Sequence, residues 1–95
     1  MTTEKNITLA IRKYLKSIGA KVYKLHGSGM GVNGAPDLLG AYAGRPLALE
    51  VKVPGKKLSP LQEKEIAALI EAGAIAARVE SVEDVKNLLK GESNE

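Results

Sequence analysis

The sequence contains no cysteine, phenylalanine or tryptophan, and only three tyrosines among 95 residues. The absence of cysteine excludes disulfides and cysteine-based metal sites, so stability has to come from an aliphatic core. A core of this size is marginal by itself, and we therefore expect a partner subunit to add stability. Because aromatic side chains are scarce, any contact with nucleic acid should depend mostly on charge rather than on base stacking.

Long apolar runs are missing as well. The first ten residues, MTTEKNITLA, have neither the basic region nor the apolar stretch of a signal peptide. No run approaches the about 20 apolar residues of a membrane span, so we expect no membrane association and a cytoplasmic location. With 44% hydrophobic and 26% charged residues, the chain is predicted to form a single domain over 1–95, with a core at about 4–90 and a frayed tail at 91–95.

Positive charge is concentrated in the first two thirds of the chain. Residues 1–64 carry eleven basic and four acidic side chains, whereas residues 65–95 carry three basic and seven acidic ones. This asymmetry suits the binding of a polyanion such as nucleic acid by one side of the domain. An ordinary solvated surface with uneven charge is the alternative interpretation.

Hydrophobic periodicity predicts three helices and four strands. Helical spacing extends from about residue 3 to 18, a second helix begins at Ser59-Pro60 and ends near 72, and a third begins at Ser81. Alternating or short apolar runs predict strands at 21–25, 37–42, 47–53 and 74–79. The order α-β-β-β-α-β-α predicts an α/β fold with one mixed sheet flanked by helices.

A glycine-rich segment, HGSGMGVNGAPDLLG at 26–40, contains the pattern G-x-G-x-x-G in Gly29, Gly31 and Gly34. In a dinucleotide-binding protein such glycines lead directly into a helix whose N-terminus holds the pyrophosphate. Here Pro36 and a short apolar strand follow instead, and no Gly-Lys-Ser/Thr follows as a Walker A loop requires. We therefore expect no nucleotide cofactor, and a loop that connects two strands close to a bulky partner.

The strand LALEVKV at 47–53 carries its charged residues on one face. Glu50 and Lys52 alternate with aliphatic residues, so their side chains lie side by side. Helices on both sides of the sheet would cover this face, and buried charges need partners. An edge strand with these charges in solvent is the alternative. The short turn after residue 42 predicts a hairpin that brings Asp37 beside Glu50 and Lys52.

Asp37, Glu50 and Lys52 suit a divalent-metal site. Carboxylates of Asp37 and Glu50, with a main-chain carbonyl, offer the oxygen ligands that Mg²⁺ prefers. Lys52 beside the cation can orient or deprotonate a water, or offset charge on a phosphate, which suits phosphodiester hydrolysis. Glu4 extends the apolar stripe of the first helix inward, or else complements the helix dipole. A capping box with the serine before the helix accounts for the presence of Gln62 without any catalytic role.

The unit Ala35-Pro36-Asp37, twelve residues, then Glu50-Val51-Lys52 resembles the PD-(D/E)xK nuclease superfamily. Other features resemble its VRR-NUC family, the virus-type replication–repair nucleases: the glycine loop, the E-V-K strand, the segment KLSPLQ at 57–62, and Gly73 before a short strand. The resemblance covers about residues 4–90. It implies a restriction-endonuclease-like α-β-β-β-α-β core, followed here by a C-terminal helix.

The resemblance implies a Mg²⁺- or Mn²⁺-dependent DNA endonuclease. Its implied site residues are the metal ligands Asp37, Glu50 and the Val51 carbonyl, the catalytic Lys52, the supporting acid Glu4 and the polar Gln62. Short stand-alone members are phage and bacterial proteins that act as homodimers on branched DNA, including four-way junctions. The resemblance therefore implies a homodimer, a role in DNA repair, and a bacterial or phage-infected cell. A non-cleaving DNA-junction-binding module and a small interaction domain with surface charges are the alternatives.

Polar and basic side chains near the predicted site are candidates for phosphate contacts. They are Lys24, His26, Ser28, Arg45, Lys56 and Lys57, joined by Arg12, Lys13 and Lys16 on the outer face of the first helix. For each residue alone a solvated surface position is the simpler explanation, and the argument for DNA depends on the whole set.

Overall fold

The structure, a computed structural model, describes residues 2–25 and 34–92. Its elements in chain order are α1 (Glu4–Ser17), β1 (Lys21–Lys24), β2 (Leu38–Tyr42), β3 (Arg45–Val51), α2 (Pro60–Glu71), β4 (Ile75–Val79) and α3 (Val82–Leu89). The predicted order is confirmed. The largest difference is in β3, which begins and ends two residues earlier than predicted, because pairing with β2 starts directly after a two-residue turn.

The four strands form one mixed sheet in the order β1-β2-β3-β4. β2 pairs antiparallel with both β1 and β3, whereas β3 and β4 are parallel and connected through α2. The hairpin turn consists of Ala43 and Gly44, whose φ angles of 53° and 82° suit the twist of paired strands. The predicted hairpin is therefore present.

The two faces of the sheet are covered by different helices. On one face, Leu47, Leu49 and Val51 of β3 are fully buried in the main core with Ile11 and Leu15 of α1. On the other face, a smaller cluster joins β3 and β4 to α2; its buried members are Ala48, Ile66 and Ala76. This alternation agrees with the sequence pattern, and it places Glu50 of β3 on the α2 face.

The C-terminal end of the described chain is held against the hairpin turn. Arg45 donates a hydrogen bond of 2.7 Å to the Glu92 carboxylate and two more to the Gly73 carbonyl oxygen. This ion pair joins two parts of the chain that are distant in sequence, and the frayed tail at 91–95 stays a prediction. Residues 93–95 lie outside the described residues. In the described part of the chain, no helix is long and apolar enough to cross a membrane.

Gly34, which precedes the segment leading into β2, closely approaches α2. Its φ is +83°, and a Cβ added there would lie 2.9 Å from the carbonyl oxygen of Leu61. We expect Gly34→Ala to lower the free energy of unfolding by about 2–3 kcal/mol, because conformational strain and steric overlap act together. Gly55→Ala is the matched control, since Gly55 has φ +88° but open space around an added Cβ.

Gly55→Ala should lower the free energy of unfolding by about 1 kcal/mol, because only the backbone conformation is strained there. Urea denaturation of both variants measures the difference. Equal losses would contradict a close contact at Gly34. The other two glycines of the pattern, Gly29 and Gly31, lie outside the described residues.

Candidate active site

Asp37 directly precedes β2 and lies across the hairpin from the end of β3. Leu38 pairs with Leu49, so the next position places Asp37 opposite Glu50. One carboxylate oxygen of Asp37, Oδ2, accepts a hydrogen bond of 3.0 Å from the Val51 N–H. Its main-chain carbonyl accepts another, of 2.7 Å, from the Leu25 N–H. Asp37 is thus held through both side chain and main chain, and the prediction that the hairpin sets it opposite Glu50 is confirmed.

The main chain of Val51 faces the same space as Asp37. In a β-strand, the N–H and C=O of one residue point to the same neighbouring strand. The Val51 N–H is bonded to Asp37, so the Val51 carbonyl is directed to that side as well. On the opposite side, the Lys52 N–H donates to the Val79 carbonyl oxygen at 3.0 Å. The end of β3 therefore directs one carbonyl oxygen toward the side of the strand on which Asp37 lies.

Glu50 is buried, with 4% of its surface exposed. Its Oε2 atom accepts a hydrogen bond of 3.1 Å from Gln62 Nε2 and lies 3.7 Å from Lys52 Nζ. Its other oxygen, Oε1, is buried and has no hydrogen-bond partner among residues 2–25 and 34–92. When Glu50 is ionised, a buried carboxylate oxygen without a partner is costly and the adjacent Asp37 adds repulsion; when Glu50 is protonated, it donates a hydrogen bond to Asp37. The local chemistry therefore favours a bound cation.

The environment of Glu50 changes its acidity. Burial raises the pKa of Glu50 from its ordinary value of 4.5 to about 7, and the Asp37 carboxylate acts in the same direction. The Lys52 ammonium opposes this rise in pKa. A carboxyl group whose pKa lies near neutrality through burial and a second carboxylate is typical of functional sites. A divalent cation would reverse this balance by favouring the ionised form.

Gln62 has both of the functions that the sequence allowed. It forms the capping box of α2, because its N–H donates to Ser59 Oγ and its Oε1 accepts from the Ser59 N–H. Its Nε2 also donates to Glu50 Oε2. The capping interpretation and the site interpretation are therefore compatible, and a single side chain connects the start of α2 to the end of β3.

Glu4 lies in the first turn of α1 and is exposed. The prediction that it extends the apolar stripe inward is wrong, because the buried face of the helix begins only at Ile7. Its charge is still close enough to contribute to the raised pKa of Glu50. Its assignment as a supporting acid remains a prediction.

The predicted DNA contacts are divided between the two ends of β3. Exposed Lys24 ends β1 beside the Asp37 backbone, and exposed Lys56 and Lys57 lie between β3 and α2 at the same end. Arg45 begins β3 at the opposite end and is bound to Glu92, so the prediction that it lies near the site is wrong. Arg12, Lys13 and Lys16 are exposed on α1. His26 and Ser28 lie outside the described residues.

Arg78 is a residue of this region that the sequence reasoning missed. It lies opposite Glu50 in the parallel register of β3 and β4. Its guanidinium donates to the carbonyl oxygens of Val53 and Lys56 and to the Glu80 carboxylate. Arg78 thus fixes the segment that follows β3 at the site. An arginine inside the otherwise apolar run AIAARV was the available signal, since a charge in a short buried strand needs partners.

The donor set fits a hard divalent cation. Among the described residues, no group of three histidine, cysteine, aspartate or glutamate side chains is placed to hold a metal. Two carboxylates and one carbonyl do suit Mg²⁺ or Mn²⁺, because Mg²⁺ usually keeps several waters and takes only one or two protein carboxylates. A structural zinc site needs a larger and softer ligand set.

The mixed sheet and its flanking helices define an α/β fold with paired carboxylates and a lysine at one end of the sheet. The chain is similar to a solved structure described as a VRR_NUC domain, with a TM-score of 0.76 and 29% identity, over 96% of this chain and 98% of that one. A second, a VRR_NUC domain protein, has a TM-score of 0.72 and 22% identity, over 94% and 86% of the two chains, which shows the fold alone. Comparisons with protein-family models and with curated proteins gave no match. The similarity to the first of these structures supports the VRR-NUC family that the sequence motifs indicate.

Proposed function

We propose that this chain is a DNA endonuclease in which Asp37, Glu50 and the Val51 carbonyl bind Mg²⁺ or Mn²⁺. The observation that carries the proposal is the buried Glu50 carboxylate beside Asp37. The Oε1 atom of Glu50 lacks a hydrogen-bond partner in the described part of the chain. Similarity to a VRR_NUC domain over nearly the whole chain supports a nuclease activity.

The residues of the chain divide the work of phosphodiester hydrolysis. A cation bound here would offset phosphate charge and lower the pKa of the attacking water. The Val51 N–H holds Asp37, and Gln62 holds Glu50, so both carboxylates are oriented before a substrate arrives. Lys52 Nζ supplies a positive charge that stabilises the transition state or transfers a proton during attack. Glu4 supports the site through its charge.

The substrate in this proposal is branched DNA, including four-way junctions, cut by a homodimer. The exposed Lys24, Lys56 and Lys57 at the site end of the sheet support contact with phosphates, and His26 and Ser28 are further candidates. The small aliphatic core supports a dimer, since a second subunit would bury more apolar surface. Two sites related by symmetry suit two strands cut in a symmetric junction.

The test uses labelled duplex, flap, splayed and four-way DNA with Mg²⁺, Mn²⁺ or EDTA. We expect metal-dependent cleavage, fastest on a branched substrate, and no cleavage in EDTA. Cleavage that persists in EDTA would overturn the metal site. Binding of every substrate without cleavage in any metal would favour the junction-binding module. Light scattering at micromolar concentration tests the dimer, and an active monomer would overturn that part.

A further inference from the structure

The two ends of the Gln62 side-chain amide are held by different partners. Oε1 accepts a hydrogen bond of 2.9 Å from the Ser59 N–H, and Nε2 donates one of 3.1 Å to Glu50 Oε2. A main-chain N–H can only donate, so the amide oxygen has to face Ser59. The NH₂ group is then directed at Glu50. Rotation of the amide by half a turn would lose both bonds and set two oxygen atoms against each other.

The start of α2 is built to keep this arrangement. Ser59 is the N-cap with φ −72° and ψ 160°, its Oγ accepts from the Gln62 N–H, and Pro60 occupies the first turn. The capping box therefore restrains the main chain and side chain of Gln62 together. Because Gln62 occupies Oε2 of Glu50, Oε1 is the oxygen left for another ligand.

We propose that Ser59 is a positioning residue: its main-chain N–H, acting through Gln62, holds the Glu50 carboxylate with Oε1 available to a divalent cation. This inference rests on the proposed function in assigning that oxygen to a metal. The cap of α2 thereby sets the geometry of the site in addition to stabilising the helix.

Two substitutions separate the N–H of Ser59 from its hydroxyl. Ser59→Ala keeps the N–H and loses the Oγ cap, whereas Ser59→Pro loses both. The φ of −72° is close to the about −65° that proline requires, so proline fits the φ angle of this position. We expect Ser59→Ala to bind Mn²⁺ with an affinity within about twofold of the unmodified protein, and Ser59→Pro to bind about tenfold more weakly or worse.

Nuclear magnetic resonance of the metal-free protein gives a readout that does not depend on activity. Gln62 is the only glutamine of the chain, so selective ¹⁵N-glutamine labelling gives one pair of side-chain amide signals. We expect the pair to be shifted well away from free-glutamine values in the unmodified protein and in Ser59→Ala. In Ser59→Pro it should return to those values. Unchanged signals in Ser59→Pro would overturn the inference.

Gln62→Met is the second variant; it tests whether the Gln62 amide holds Glu50, a step that the inference requires even if Ser59→Pro does not fold. Methionine keeps the main-chain N–H bonded to Ser59 Oγ but removes both amide bonds. We expect about tenfold weaker Mn²⁺ binding, and no further loss when Ser59→Pro is added. Affinity equal to that of the unmodified protein would overturn the inference. If the unmodified protein itself neither binds Mn²⁺ nor cuts DNA, the proposed function fails, while the amide signals still test the positioning by Ser59.

Discussion

Replacing Glu50 by glutamine is expected to abolish DNA cleavage and, at the same time, to stabilise the metal-free protein at neutral pH. Burial and Asp37 raise the pKa of Glu50 from 4.5 to about 7. Between these values the folded state binds more protons than the unfolded state, so stability falls as the pH rises through this window. The ionised carboxylate costs at most roughly 3 kcal/mol above the window, a cost that a neutral amide of the same shape avoids.

Urea denaturation in EDTA at several pH values measures this effect. At pH about 8, Glu50→Gln should be more stable than the unmodified protein by about 2–3 kcal/mol, and the difference should vanish below the pKa of an unfolded glutamate, about 4.3. Glu63→Gln is the matched control, because Glu63 is an exposed acid in the first turn of α2 and should give no gain in stability. A Glu50→Gln protein that is less stable at every pH would contradict an unfavourable buried charge.

Replacing Lys52 by methionine is the second substitution with a large expected effect. The lysine is largely buried, and its Nζ lies 3.7 Å from the Glu50 carboxylate. Methionine keeps most of the length and removes the charge, so we expect kcat to fall by about 10²–10⁴-fold with little change in DNA affinity. Because the Lys52 charge lowers the pKa of Glu50, its loss should also move the pH dependence of Mn²⁺ binding to higher pH.

Single-turnover cleavage and a separate binding measurement distinguish these effects. Lys57→Met is the control, since Lys57 is exposed at the same end of the sheet. It should weaken binding to all DNA and lower the salt slope by about 1, while leaving kcat at saturating DNA unchanged. Cleavage by Lys52→Met within tenfold of the unmodified protein would assign the reaction to other groups.

Local pattern was sufficient to predict the hairpin, the alternation along β3 and the position of Asp37 opposite Glu50. These features depend on a period of two and on a short turn, both visible in sequence. The glycine pattern, in contrast, could not be interpreted from local sequence. Of its three glycines, only Gly34 lies among the described residues. Its requirement for glycine comes from a positive φ together with contact with Leu61 of α2, and no local pattern shows that contact.

The features that were missed depend on how distant elements meet. The apolar stripe predicts which face of α1 carries Glu4. It does not show whether the sheet covers the first turn of the helix, where Glu4 lies. The ion pair between Arg45 and Glu92 and the bonds of Arg78 to the segment after β3 join residues far apart in the chain. The capping box predicts the hydrogen bond that the Gln62 side-chain oxygen accepts from Ser59. The partner of the Gln62 NH₂ group depends on where α2 packs on the sheet.

Mn²⁺ binding, followed by the electron paramagnetic resonance signal of the free ion, measures whether Asp37 and Glu50 form a divalent-metal site at the end of β3. We predict that the unmodified protein at pH about 8 removes Mn²⁺ from the free pool, and that Asp37→Asn and Glu50→Gln each weaken binding by about tenfold or more, whereas Glu63→Gln does not. Equal binding by all four proteins, or no binding by any of them, would contradict the account.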